Sequence, residues 1–218
     1  MKTKKTPHSR SSYDADCRAC PRLATFLDSV RREHTDYFCL PVPPFGVERP
    51  KLLIVGLAPG LHGANRTGRP FTGDYAGGLL YETLHRFGFA SESVSVGADD
   101  SLRLKDCRIT NAVKCLPPQN KPLPVEIRTC NRFLQNELAG LPPSTAILAL
   151  GTIAHAAVLT AVGLKAGHCK FRHGARHLLP SGQLLFDSYH CSRYNTNTRR
   201  LTEDMFHAVF AGIREHLT

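Results

Sequence analysis

No apolar run in this 218-residue chain approaches the ~20 residues that a membrane-spanning helix needs. The basic start, Met1 to Ser12, has no apolar segment behind it, which excludes a secretory signal. Residues 1–12 read instead as a short basic, flexible arm. Neither an internal repeat nor a linker-like stretch divides the rest of the chain, so residues 13–218 are expected to form one domain, long enough to bury a substantial core. Acidic side chains are in deficit: 18 Asp and Glu stand against 28 Lys and Arg, a formal net charge of +10. Such an imbalance favours a polyanionic partner. Also missing is the Lys-Ser/Thr pair that would turn the glycine-rich stretch after Gly56 into a P-loop.

Cysteine is not scarce. With no secretory signal, the eight cysteines belong in a reducing cytoplasm, where metal binding or plain burial is favoured over disulfides. Cys17 and Cys20 form a Cys-x-x-Cys pair, and Cys115 and Cys130 flank a proline-rich loop far downstream. Four thiolates at such positions can hold a cubane iron–sulfur cluster or a tetrahedral zinc ion. Cys39, Cys107, Cys169 and Cys191 have no partner spacing and are read as small buried apolar residues.

Short apolar runs alternate with amphipathic stretches, which predicts an α/β fold. The expected form is a three-layer α/β/α domain on a short, mostly parallel central sheet of about four strands. Strands are expected at Lys51–Gly56, Arg108–Val113, Ala146–Leu150 and Gln183–Asp187. Helical spacing marks Leu23, Phe26, Leu27 and Val30; Leu79, Leu80, Leu84 and Phe87; Pro124 to Leu138; a segment from about Thr152; and a last helix capped by Thr202. Three segments then follow strand ends: 56–74, 111–115 and 190–198. In an open parallel sheet that edge is where ligands bind.

Those three segments carry a resemblance. Gly56-Leu-Ala-Pro-Gly-Leu-His-Gly63, running on to Arg69-Pro-Phe-Thr-Gly-Asp74, resembles the first motif of the iron–sulfur uracil-DNA glycosylases, in their family 5 branch. Thr110-Asn-Ala-Val-Lys-Cys115, Pro117-Pro-Gln-Asn120 and Cys130 to Leu138 are similar to that family's middle block. His190-Cys-Ser-Arg-Tyr-Asn-Thr-Asn-Thr198 resembles its last motif. The blocks occur in the family's order and span about Cys17 to Leu201. The resemblance, rather than the spacing, implies that Cys17, Cys20, Cys115 and Cys130 ligate a [4Fe–4S] cluster with a structural role.

It also implies a monofunctional enzyme of base excision repair that removes uracil, and other deaminated bases such as hypoxanthine, from single- or double-stranded DNA. A monomer is expected. A base inside a duplex must be extruded before it can be cut out. Phe71 is then expected to stack on the flipped base, and Asn111 to read its edge through an amide that both donates and accepts. His190 would hydrogen-bond a base carbonyl and favour departure of the base as an anion. Asp74 would answer the positive charge left on the sugar and activate water. Gly56, Ala58, Pro59, Gly60, His62, Gly63 and Asn195 complete the expected pocket. Arg199, Arg200 and Leu201 fall in the stretch that enters the minor groove in related enzymes. Taken without the resemblance, Phe71 reads equally as a core aromatic, Asn111 as a turn residue, Asp74 as a helix cap and 199–201 as a solvated turn.

The chain departs from the family's pattern in three places, one of them Arg199 and Arg200, which stand where a smaller residue is more usual. Ala58 stands where many uracil glycosylases carry a polar residue, which shifts the expected carboxylate role to Asp74 and leaves a roomier pocket. Cys191 replaces the proline usual after the motif histidine. Three other readings remain open: a strict uracil enzyme of the family 4 type, which Leu57 disfavours because that branch carries glutamate there, a non-catalytic iron–sulfur nucleic-acid-binding protein, and a zinc-stabilised adaptor.

Overall fold

The computed structural model describes residues 12–218; the expected N-terminal arm falls almost wholly on 1–11, outside the described residues. In chain order the elements are α1 (Pro21–Glu33), β1 (Phe45–Gly46), β2 (Leu52–Gly56), α2 (Ala64–Thr67), α3 (Tyr75–Arg86), β3 (Cys107–Asn111), α4 (Pro124–Ala139), β4 (Ala146–Leu150), α5 (Thr152–Ala161), β5 (Arg176–Leu178), β6 (Leu184–Ser188), α6 (Arg193–Asn197) and α7 (Glu203–Leu217). The sheet runs β1-β3-β2-β4-β6-β5. Its four inner strands are parallel, and both edge strands are antiparallel. The four expected strands are therefore the parallel core, and the structure adds two short edges.

Each inner strand is buried on both faces, which is why β2 and β4 read as unbroken apolar runs instead of alternating ones. Alternate residues serve opposite layers. Leu52 and Ile54 pack with Leu80 and Leu84 of α3 and Phe206, Phe210 and Ile213 of α7. Leu53 and Val55 pack with Leu134 and Leu138 of α4 and Ala154 and Val158 of α5. Burying one such aliphatic side chain contributes about 1.5–3 kcal/mol. Helix starts are set locally: Pro21 and Pro124 occupy first-turn positions, and the Thr202 hydroxyl accepts from the Met205 amide at 3.2 Å.

Strand order positions the site. The chain leaves β2 for β3 on one side, then returns past it to β4 on the other. A crevice consequently opens at the carboxyl ends of the strands.

Candidate active site

All three motif segments meet in that crevice, around a cavity of about 620 Å³. Asp74 at the start of α3, Asn111 at the end of β3 and His190 just after β6 all line it, together with Ala58, Gly60, Phe71 and Asn195. Gly56 has a steric reason to be glycine: a Cβ there would stand 2.4 Å from Asn111 Oδ1 and 2.7 Å from Phe71 Cζ. Phe71 holds a left-handed backbone with φ 58°, uncommon for a bulky side chain. Its ring stacks with that of His190, centroids 5.8 Å apart at 26°, and both rings line the cavity.

Asp74 does two jobs. It caps α3, with Oδ1 accepting from the Gly77 amide at 3.2 Å, and it faces the cavity. Gly63 makes room for its other oxygen, since a Cβ at that position would come within 2.6 Å of Asp74 Oδ2. The carboxyl touches solvent through the cavity mouth yet is crowded by protein. That dehydration raises its pKa above the ordinary value, while bonds from the Gly77 and Ala76 amides partly offset the rise.

Burial pushes the His190 imidazole down to about 4, so it is neutral at physiological pH. Its loop is held by Asn195, whose amide donates to the His190 carbonyl at 2.8 Å, and by Ser192, which caps α6. Cys191 supplies no reactive thiol. It is fully buried, and burial, with the Asp74 charge adding, drives its pKa up to about 12.

Several expected site residues lie elsewhere. His62 is not on the cavity wall; its Nδ1 bonds Tyr37 Oη at 2.8 Å, and its ring meets that of His34. Pro59 and Gly63 are likewise not on the cavity wall. Leu201 is only 1% exposed and packs in the core, so it presents nothing to a groove. Of the two arginines expected beside it, Arg200 lines the cavity with its guanidinium 4.6 Å from the Tyr189 ring. Arg199 is exposed and not on the lining.

Sequence reading missed the rim. Tyr75 is 47% and Tyr194 71% exposed, and Arg193 lies 5.3 Å over the Tyr75 ring. The signal was present in the adjacent Arg193-Tyr194 pair, since basic and aromatic residues interleave where bases stack. The far wall, Phe171 and Tyr189, was also missed. It hangs from a buried cluster behind it. Asp187, with no solvent exposure, bonds His155 Nδ1 at 2.7 Å and His177 Nε2 at 3.0 Å, and its carboxylate also accepts from the Arg172 amide at 3.4 Å.

The four cysteines singled out by spacing line one small cavity. Cys20 sits at the start of α1, Cys130 in α4, and Cys115 beyond β3. Arg22 of α1 donates through Nε to Glu126 of α4 at 2.7 Å, and this draws the pairs together. The Lys114 amide donates to Cys130 Sγ and the Arg132 guanidinium to Cys17 Sγ, each at 3.3 Å. Burial, then mutual repulsion, lifts Cys20 to about 11 and Cys115 to about 12. Such thiols gain from a cation that takes their protons' place. Ala58 packs against this cluster and also lines the large cavity, so it is the wall between the two. Cys39, Cys107 and Cys191 are buried as expected, whereas Cys169 is half-buried.

The family model of the uracil DNA glycosylase superfamily matches residues 43–214. The chain belongs to the uracil-DNA glycosylase superfamily. Within that superfamily it is 48% identical to a type-5 uracil-DNA glycosylase of Thermus thermophilus over 195 residues, 87% of this chain and 89% of the relative. It is 45% identical to a type-5 uracil-DNA glycosylase of Mycobacterium tuberculosis, covering 89% of this chain and 75% of the relative. Likeness to a type-4 uracil-DNA glycosylase of Archaeoglobus fulgidus is weaker, 34% over 63% of this chain and 56% of the relative.

Proposed function

We propose that this uracil-DNA glycosylase family member is a monofunctional enzyme of base excision repair that removes uracil, and with it hypoxanthine and other deaminated bases, from DNA. One observation carries the reading: a carboxylate, an amide and a neutral imidazole from three separate segments converge on one cavity of a superfamily named for this reaction. An extruded nucleotide enters the cavity and lays its base along the Phe71–His190 wall. Asn111 pairs with the base edge. Neutral His190 donates to a carbonyl on which negative charge grows as the bond to C1′ breaks. Asp74, as the carboxylate, offsets the charge on the sugar and orients water. The water oxygen bonds to C1′, one of its protons leaves through Asp74, and the departing base takes up a proton. Among the described residues no lysine lines the cavity, which fits hydrolysis by water rather than a covalent enzyme–sugar adduct.

Ala58 and a cavity of about 620 Å³ leave room for a purine-sized base, and together with the stronger type-5 likeness they favour the broader specificity over the strict family 4 reading. The exposed Tyr75, Arg193, Tyr194 and Arg200 face the DNA around the flipped nucleotide. The protein acts as a monomer in the cytoplasm; no helix among the described residues is long and apolar enough to cross a membrane.

Cys17, Cys20, Cys115 and Cys130 would hold a [4Fe–4S] cluster. The four line one small cavity, and four thiolates are the donor set of a cubane cluster. The cluster supplies cohesion between α1, α4 and the loop after β3, and no step of the reaction. Incubation with oligonucleotides bearing uracil, hypoxanthine or a thymine mismatch, followed by alkali, tests the activity; intact strands with every base overturn it. Broad visible absorption that bleaches on reduction, lost in Cys17→Ser, tests the cluster, and stoichiometric zinc without iron overturns it.

A further inference from the structure

We propose that the seam between α3 and α7, away from the cavity and the four cysteines, binds one zinc-like divalent transition-metal ion through Glu82, Glu203 and His207. Glu203 and His207 are one helical turn apart on the same face of α7, and that face meets Glu82 of α3. His207 Nε2 stands 3.4 Å from Glu82 Oε2 and 3.9 Å from Glu203 Oε1. One donor atom from each residue lies within 4.8 Å of the other two. Zinc bonds of about 2.0–2.2 Å at tetrahedral angles separate ligand atoms by about 3.4 Å, so the observed spacing needs only a small movement of the exposed Glu203.

A second observation concerns the same pair. Glu82 Oε2 and His207 Nε2 are both shielded from water and face each other at 3.4 Å as an ion pair with no hydrogen bond between them, although the rest of the Glu82 side chain is half-exposed. Buried polar atoms are nearly always paired; two that point at one spot without bonding are suited to a shared ligand. The donor chemistry narrows the choice. Two carboxylates balance the charge of a divalent cation, and an imidazole among them favours zinc or its neighbours over magnesium or calcium, which take oxygen alone. Water completes the coordination shell.

The consequence is mechanical. Helix α3 begins at Asp74, and α7 follows the 193–201 segment that carries the cavity rim. A metal at their seam ties the carboxylate's helix to the rim's anchor.

Cobalt titration of the purified full-length protein, read by absorption, separates this site from the cysteines. One equivalent is expected to bind with weak visible bands and without the near-ultraviolet band of cobalt bound to sulfur. Zinc displaces it and raises the thermal midpoint. Glu203→Gln and His207→Ala are each expected to weaken binding at least tenfold and abolish the zinc-induced rise. Glu203 is exposed, so its variant folds even if the other does not. Metal uptake only with the sulfur band, or uptake that survives Glu203→Gln, overturns the proposal and leaves an ordinary histidine–carboxylate contact.

Discussion

Two histidines in this protein, His190 and His155, are both crowded by protein, and they end in different states of protonation. No hydrogen bond among the described residues reaches the His190 ring; dehydration wins, and the imidazole stays neutral. At His155 dehydration is the largest effect too, but Asp187 faces Nδ1 and the Cys169 carbonyl faces Nε2 at 3.0 Å. Two acceptors on opposite nitrogens require a proton on each, and together they raise the pKa. The carboxylates divide the same way. Asp187 is surrounded by donors, whereas Asp74 spends one oxygen on a helix cap and turns toward an open cavity. A completed set of partners builds structure; an incomplete set at a cavity is available to a substrate.

The largest expected effect breaks the completed set. Asp187→Ala leaves the His155 cation buried without its counter-charge, which typically costs about 3–5 kcal/mol. Thermal unfolding should show this as a drop of many degrees, and a midpoint unchanged from wild type would mean that the cluster contributes little. Its pH dependence is set by the direction of the shift. A histidine whose folded pKa is raised contributes fully below its unfolded value of about 6.5 and loses that contribution as pH rises through the folded value. The stability gap between wild type and His155→Gln should therefore narrow as pH rises from the unfolded value through the folded one.

The same kind of change at the open carboxylate should spare the fold and stop the chemistry. Asp74→Asn keeps size and the capping oxygen but removes the charge, and loss of one preorganised electrostatic partner costs about 10²–10³ in rate. Single-turnover cleavage should fall by that factor for every base, with the thermal midpoint held or raised. The wild-type rate should fall as pH is lowered and Asp74, whose pKa is raised, takes up a proton. That limb should vanish in the Asn variant. Near-full activity of Asp74→Asn would reduce Asp74 to a helix cap.

His190→Ala should be more selective. A group that stabilises the departing anion matters most where the base is a poor leaving group, so the rate loss should shrink as the leaving ability improves across a series of substituted uracils. An equal loss for all members would assign His190 to the stacking wall it forms with Phe71 instead of to the anion.

How far the sequence disclosed this arrangement depended on how local each signal was. The four inner strands and main helices were legible because each is a run of apolar residues at one period. Strands β1 and β5, two and three residues long and partly exposed, have no period to detect. Asp74, Asn111 and His190 were legible because each lies in a segment at a strand end. His62 shares Asp74's segment, yet its side chain turns out to Tyr37; proximity in sequence does not fix direction. The Asp187 cluster was invisible because its members, 155, 177 and 187, come from α5, β5 and β6 with no motif spacing. Leu201 went the other way. A motif suggested exposure, and its apolar side chain went into the core.

The smallest expected effect separates two neighbouring arginines. Each phosphate neutralised by a cation steepens the fall of log affinity with log salt by about 0.9 on duplex DNA. Arg200 is at the cavity wall beside Tyr189, and Arg193 lies over Tyr75 at the rim; Arg199 is exposed off the lining. If the rim faces DNA, Arg193→Ala and Arg200→Ala should each flatten that slope by about one, while Arg199→Ala changes it less. Cleavage within the bound complex should hardly alter in Arg193→Ala, because its charge acts on the backbone and not on the breaking bond. A slope that responds to Arg199 alone would move the DNA track off the rim, toward the start of α7. Tyr194, at 71% exposure the most solvent-facing aromatic of the rim, would then lie off the DNA track as well.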